Sequence, residues 1–300
     1  MIKKMNKNQL IESWSLRRST MFLLGAGCSI SSGCKSANLI IKDFKLRLYC
    51  DKHKIPYEKT TDYYEKELDK EINKEYPTPH GENPYSYYFE KCFPLPKDRN
   101  EYIRAEFQNK NPSLGYLCFA NYLLQQQIHD VATTNFDRLV ERAIRRLDPN
   151  ADIVNESERS NPIGDHQISI LSLHGDYNYD LTRNTESELQ SLSKNVAEKF
   201  SEKHISRLII LGYSGQDKSV IDAIKMMENR CQNMEVIWCF FEVDPEIPTS
   251  IQQVLSYPQA CAAFGINFDN LFIDYYRIKS PKNPVIDELI HRENVSCQMM

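Results

Sequence analysis

Short apolar runs and longer amphipathic stretches take turns along most of this 300-residue chain. Residues 7–18 predict a short helix. TMFLL (Thr20–Leu24) is unbroken and apolar, the pattern of a strand covered on both faces. It runs into GAGCSISSG, after which Leu39, Ile40, Phe44 and Leu48 recur near helical spacing. Residues 112–127 then predict a helix and HDVATT (129–134) a strand. FDRLVERAIRRL (136–147) predicts a helix with Leu139, Val140, Ala143, Ile144 and Leu147 on one broad face. QISILSLHG gives a strand ending at His174 and RLIILGYS a strand ending at Gly212. A helix at 219–230, a strand at EVIWCFFEV, a helix near IQQVLS (251–256) and a last strand near LFIDYY (271–276) complete the series. Strands alternating with helices predict an α/β fold, a Rossmann-like and mostly parallel sheet with helices on both faces.

Residues 51–111 interrupt that rhythm. They are polar, rich in Lys, Glu and Tyr, and carry six prolines, which favours short helices and turns over sheet. Residues 61–76 look helical, with the Lys/Glu run 65–75 as a solvated face, and 77–89 look like a loop or short turns. Tyr85, Tyr87 and Tyr88 suit packing better than a pocket wall. The expected organisation is a core of residues 1–50 and 112–280, a helical insertion at 51–111 and a C-terminal tail at 281–300.

Composition narrows the partners. A formal net charge of −4 gives no electrostatic footprint for nucleic acid. No run nears the ~20 apolar residues of a membrane span, and the first residues lack the apolar centre of a signal peptide. Nine cysteines include no CxxC pair and no zinc-finger spacing with histidine. Several sit inside apolar runs, as in VIWCFF, where cysteine acts as a small core residue. The expectation is reduced thiols, a cytoplasmic location and no metal. Histidines 53, 80, 129, 166, 204 and 291 show no metal spacing either, and His129 suits a structural place beside its strand.

Polar and glycine residues gather where the predicted strands end: GAGCS, TTNFD, LHGD and GYSGQD. Open parallel sheets bind ligands outside the carboxyl ends of their strands. The first of these ends is not a Walker loop, because five residues separate Gly27 from Gly33 and Cys34 precedes Lys35. Nor is it the GxGxxG dinucleotide fingerprint, since Ile30 stands at the third glycine. Glycines here let a ligand's phosphates approach the backbone, or simply allow a tight strand-to-helix turn.

GAGCSISSG resembles the first cofactor motif of sirtuins, the NAD-dependent protein deacylases. TTNFD resembles their second motif, LHGD their catalytic His-Gly pair, and GYSGQD their later Gly-x-Ser turn, all in family order between Phe22 and Asp217. Two departures matter. Lys35, Ser36, Ala37 and Asn38 stand where deacylases carry Pro-Asp-Phe-Arg, and residues 176–230 contain no cysteine where deacylases carry a zinc module. The remainder is similar to the sirtuin-like domains of bacterial anti-phage defence, which hydrolyse NAD.

That resemblance implies NAD as substrate and an NAD glycohydrolase that releases nicotinamide and ADP-ribose in abortive infection. It implies His174 and Asn135 as catalytic residues, with His174 the base and Asn135 orienting water or holding ribose hydroxyls. It implies Gly25, Ala26, Gly27, Ser29, Asn135, Asp137, Gly212, Ser214 and Asp217 as the NAD-binding set. Ser29 would donate to a phosphate, and Asp137 would accept from the nicotinamide carboxamide. Helix capping accounts equally for Asn135, Asp137 and Asp217 taken singly. Control by self-assembly or by a defence partner such as an ATPase or an Argonaute-type sensor is expected. The alternatives are a deacylase without the zinc module and a non-catalytic NAD or ADP-ribose sensor.

Overall fold

The computed structural model describes residues 2–14, 19–57, 65–80, 83–126, 130–156, 167–175, 198, 205–231 and 233–298. Its centre is one sheet of β1 (Lys3–Met5), β2 (Thr20–Leu24), β3 (Asp130–Thr133), β4 (Ile153–Glu156), β5 (Ile168–Ser172), β6 (Arg207–Leu211), β7 (Glu235–Cys239) and β8 (Ala260–Ala263). The spatial order is β1-β8-β7-β6-β2-β3-β5-β4, and every neighbouring pair is parallel. The sheet is thus a doubly wound α/β arrangement. After β2 the chain steps to β3 on one side, while β6 flanks β2 on the other. That reversal opens a crevice at the C-terminal ends of β2, β3 and β6.

The helices are α1 (Lys7–Ser13), α2 (Ala37–His53), α3 (Glu65–Glu75), α4 (Pro84–Cys92), α5 (Pro96–Phe107), α6 (Leu114–Gln126), α7 (Leu139–Leu147), α8 (Lys218–Arg230), α9 (Thr249–Leu255), α10 (Phe268–Lys279) and α11 (Pro284–Gln298). Because side chains alternate along a strand, β2 feeds two cores. Phe22 and Leu24 join the core beneath α6, α7 and α10, and Met21 and Leu23 join the one beneath α8 and α9. Aromatic rings dominate the first, with Phe22 to Phe119 at 5.2 Å and Phe119 to Phe272 at 4.7 Å between centroids.

LFIDYY is not a strand. It lies in α10, where Phe268, Leu271, Phe272, Tyr275 and Tyr276 are buried at helical spacing. The last strand is ACAA, four small residues without β-branching. The second half of 77–89 is also helical: Asn83 caps α4, and Pro84 occupies its first turn. The strand predicted to end at His174 stops at Ser172 and leaves His174 in a turn. The predicted helix 136–147 begins at Leu139, and residues 15–18 of the first predicted helix lie outside the described residues. Residues 284–298 form α11, which buries Ile286. Within 51–111, α4 packs on α2 through Phe89 stacked on Phe44 at 4.9 Å.

Candidate active site

A cavity of about 310 Å³ opens at the C-terminal ends of β2, β3, β5 and β6. Ala26, Gly27, Ser29, Asn135, Asp137, His174, Gly212, Ser214 and Asp217 all line it. Gly25 sits behind them, its carbonyl oxygen accepting from Asn135 Nδ2 at 3.0 Å.

The glycine turn is a 3-10 helix, Ala26–Ser32, closed by Gly33 at φ 76°. Its glycines are needed by the protein itself. Gly25 N–H donates to Leu211 O and Gly27 N–H to Gly212 O, both at 2.9 Å. A Cβ on Gly25 would lie 2.5 Å from Gly212 O, and one on Gly27 2.9 Å from Gly212 Cα. Gly212, at φ 61°, has Cys28 N 2.5 Å from its own would-be Cβ. Three glycines therefore weld the β2 turn to the β6 turn, backbone against backbone. The turn requires glycine whether or not a phosphate approaches it.

Behind the turn lies a buried hydrogen-bond network whose protons can be counted. Ser29 Oγ donates to Asp137 Oδ2 at 2.5 Å and lies 2.9 Å from Tyr116 Oη and 3.1 Å from Asn135 Nδ2. A hydroxyl has one proton and two lone pairs. Ser29 gives its proton to Asp137 and so accepts from both Tyr116 and Asn135. It has none left for a phosphate without exchanging a partner. Asn135 Nδ2 is spent on Ser29 and on the Gly25 carbonyl, which leaves Oδ1, an acceptor, as its free group. Asp137 Oδ1 accepts Leu139 N–H at 2.9 Å at the start of α7. Burial raises the Asp137 carboxyl above its ordinary range, against the hydrogen bonds from Ser29 and Leu139 and the charge of Arg142. Asp137 is thus a buried organiser of Ser29 and α7 as well as a cavity residue.

His174 meets Asp217 across the crevice, Nε2 to Oδ2 at 2.7 Å, with the side chains 18% and 8% exposed. Asp217 also caps α8, its Oδ1 accepting from Ser219 N–H at 2.8 Å and Ser219 Oγ at 2.7 Å. Burial alone would raise the Asp217 carboxyl. The His174 hydrogen bond, its charge and the Ser219 bonds outweigh burial and hold the carboxyl at about 2. An ionised carboxylate only accepts, so His174 Nε2 carries a proton toward Asp217, and Nδ1 is the ring nitrogen left to exchange one. The arrangement is a histidine fixed in one tautomer by an acid, the usual outfit of a general base.

The starts of α2 and α4, with Phe107 of α5, supply the outer wall. Lys35, Asn38, Asn83, Tyr85, Ser86 and Phe107 line the cavity beside the strand ends. Tyr85 is therefore a wall residue, whereas Tyr88 packs inside with its hydroxyl on Pro77 O. Cys34 also lines the cavity, but burial pushes its thiol up to about 12, which removes a thiolate nucleophile at neutral pH. Sequence patterns gave no hint of Tyr116, which sits in a helix that is apolar nearly all round. Nor do they show that Asp217 partners His174, 43 residues away. Among the described residues, no group of three or more His, Cys, Asp or Glu is placed to hold a metal. The described part of 176–230 begins, apart from residue 198, at Ile205; His129, His166 and His204 also lie outside the described residues. No described helix is long and apolar enough to cross a membrane.

Among solved structures, this chain is similar to one from work on the structural basis of sirtuin substrate affinity, at 15% identity and a TM-score of 0.47. The match covers 91% of this chain and 98% of that one. A second structure of the same kind matches at 14% and 0.49, covering 92% and 100%. A mutant Sir2 homologue in complex with ADP-ribose matches at 13% and 0.48, covering 94% and 97%. No curated protein sequence matches. Residues 129–256, the segment that carries Asn135, His174 and Asp217, match the family model described as the SIR2-like domain.

Proposed function

We propose that this protein is an NAD glycohydrolase, cleaving NAD to nicotinamide and ADP-ribose. The observation that carries the reading is the His174–Asp217 pair facing one cavity with the free Oδ1 of Asn135. The reaction breaks the bond between the ribose C1′ and the nicotinamide nitrogen. Nicotinamide leaves with the bonding electrons, and positive charge grows on the ribose. A water then attacks C1′ and must lose a proton. Asn135 Oδ1 accepts a hydrogen bond from that water and aims it. His174 Nδ1 takes the proton, and Asp217 offsets the charge that the imidazole gains. Phe136, whose ring lies 6.0 Å from that of His174, offers an apolar face for a flat ring.

The same residues suit the chemistry without any metal ligand, and the resemblance in the four strand-end motifs supports NAD as substrate. By that resemblance the biological role is effector of an anti-phage defence system, restrained by a partner or by self-assembly until infection. Incubating the protein with NAD and following nicotinamide release tests the reading. The His174→Ala variant is expected to fold and release none. A deacylase would release nicotinamide only with an acylated peptide present. A sensor would bind NAD and release nothing.

A further inference from the structure

Helix α7 turns an apolar face to the core and a basic face away from it. Leu139, Val140, Ala143 and Ile144 are buried, while Arg138, Arg142, Arg145 and Arg146 fall on the other side. With Arg104 of α5 and Gln108 at its end, they line a groove of about 890 Å³.

Arginine is concentrated there. The chain has fifteen arginines and twenty-two lysines, yet five arginines and no lysine line this groove. Glu141 is the one carboxylate in the lining. It accepts from Arg138 at 2.8 and 2.5 Å and from Asn155 at 3.2 Å, with Arg145 4.0 Å away. Arg142 spends Nη1 on two neutral acceptors, Phe107 O at 3.1 Å and Lys110 O at 2.5 Å. Carbonyl oxygens satisfy its N–H groups without cancelling its charge. Five arginines and one glutamate give the lining a charge of +4 in a chain of formal net charge −4, which leaves −8 for everything else.

The charges also have a period. Arg138, Arg142 and Arg146 lie four residues apart, about 6 Å per step, and Arg104 and Gln108 repeat that step on the other wall. Carboxylates at every fourth residue of another helix have the same step. Guanidinium forks take carboxylates two N–H groups at a time. A nucleic acid suits the groove less well. The arginine row on α7 is only ~12 Å long, and a longer polyanion would run on into the acidic remainder of the molecule. Among the described residues, no aromatic ring lines the groove to stack a base.

We propose that the groove between α5 and α7 docks an acidic helix of a partner protein, with carboxylates one turn apart received by Arg104, Arg142, Arg145 and Arg146. The groove shares no lining residue with the cavity at the strand ends, and its assignment does not rest on NAD cleavage.

Fluorescence anisotropy of the intact protein with a labelled sixteen-residue peptide, four repeats of Glu-Ala-Ala-Ala, reads the docking at low ionic strength. Saturable binding is expected, and added salt should weaken it because exposed charges are screened. A peptide of the same composition with its four glutamates in one block should bind at least about tenfold more weakly, as should a five-nucleotide oligothymidylate. Arg145→Glu with Arg146→Glu reverses two exposed charges at the end of α7 and should weaken the repeat peptide by about tenfold or more. Arg145→Gln with Arg146→Gln, which removes the charges without reversing them, should weaken it by a smaller factor. Reversal at Lys279 and Arg292, exposed and outside the groove, should change it by less than about twofold. No saturable binding, equal binding of the two peptides, or equal losses from the two charge reversals would overturn the proposal. Tighter binding of the oligonucleotide would overturn it in favour of a nucleic acid. Because no arm reads nicotinamide release, a failure here is distinct from a failure of the glycohydrolase reading.

Discussion

Asp217→Asn separates the charge of the His174 partner from its shape. Asparagine caps helices as well as aspartate does, so the Ser219 contacts at the start of α8 survive. What is lost is the carboxylate. It sits at about 2 against an ordinary 3.8. At ~1.36 kcal/mol per tenfold change in proton affinity this is at most about 2 kcal/mol of native stability, the full amount only while His174 is charged. The sign follows from the depressed value. The folded state holds the proton more weakly than the unfolded chain, so the contribution is present above about pH 4–5 and fades as pH falls toward 2. Urea unfolding from pH 7 down to pH 3 should therefore show the wild type losing its advantage over Asp217→Asn. Catalysis should suffer more. Asparagine does not force the proton onto Nε2, and it does not offset an imidazolium. A positioned base contributes ~10²–10⁴-fold. The variant should then cleave NAD at least tenfold more slowly while binding it with little change. Wild-type turnover by folded Asp217→Asn, measured as nicotinamide release, would falsify the pairing as a catalytic device.

Tyr116→Phe removes the donor that Ser29 accepts while leaving the core shape; NAD turnover should fall up to about tenfold with KM little changed, and restored activity in Tyr116→His but not Tyr116→Leu would identify the donor as the cause. Gly27→Ala presses a methyl onto Gly212 and should cost about 1–3 kcal/mol by thermal melting. Gly212→Ala, facing a contact of 2.5 Å at a positive φ, should be worse, and unchanged melting in both would refute the welded turns. Elemental analysis of purified protein should find no stoichiometric zinc, and chelators should leave NAD cleavage unchanged.

The strand-end motifs were legible because a parallel sheet collects its functional groups at one edge, and runs such as TMFLL and RLIIL declare their strands by unbroken apolarity. Residues that act through space were not. His174 and Asp217 lie on separate turns, and nothing in LHGD or GYSGQD says that they meet. Tyr116 is hidden by the apolar residues around it in α6. Misread elements had misleading chemistry. LFIDYY is aromatic and β-branched enough to mimic a strand, yet its period is helical. In ENPYSYYF the proline suggested a turn, although Asn-Pro is also how a helix begins. The strands KKM and ACAA are too short and too plain to announce themselves, and only pairing across the sheet makes them strands.

That pairing has a consequence for how the chain is made. Lys3 lies opposite Cys261 and Met5 opposite Ala263, so two described strands more than 250 residues apart in the chain rest on one another. Until β8 has formed, β1 has nothing to hydrogen-bond to, and until β1 docks, Ala260–Ala263 presents a bare row of backbone donors and acceptors. Bare rows recruit strands from other molecules. Closing so long a loop is slow compared with local helix formation. The nascent protein must therefore wait with an adhesive margin at one end of its sheet. Removing residues 2–5 would exchange the lysine-bearing edge Lys3–Met5 for the small apolar row Ala260–Ala263, and self-association should rise.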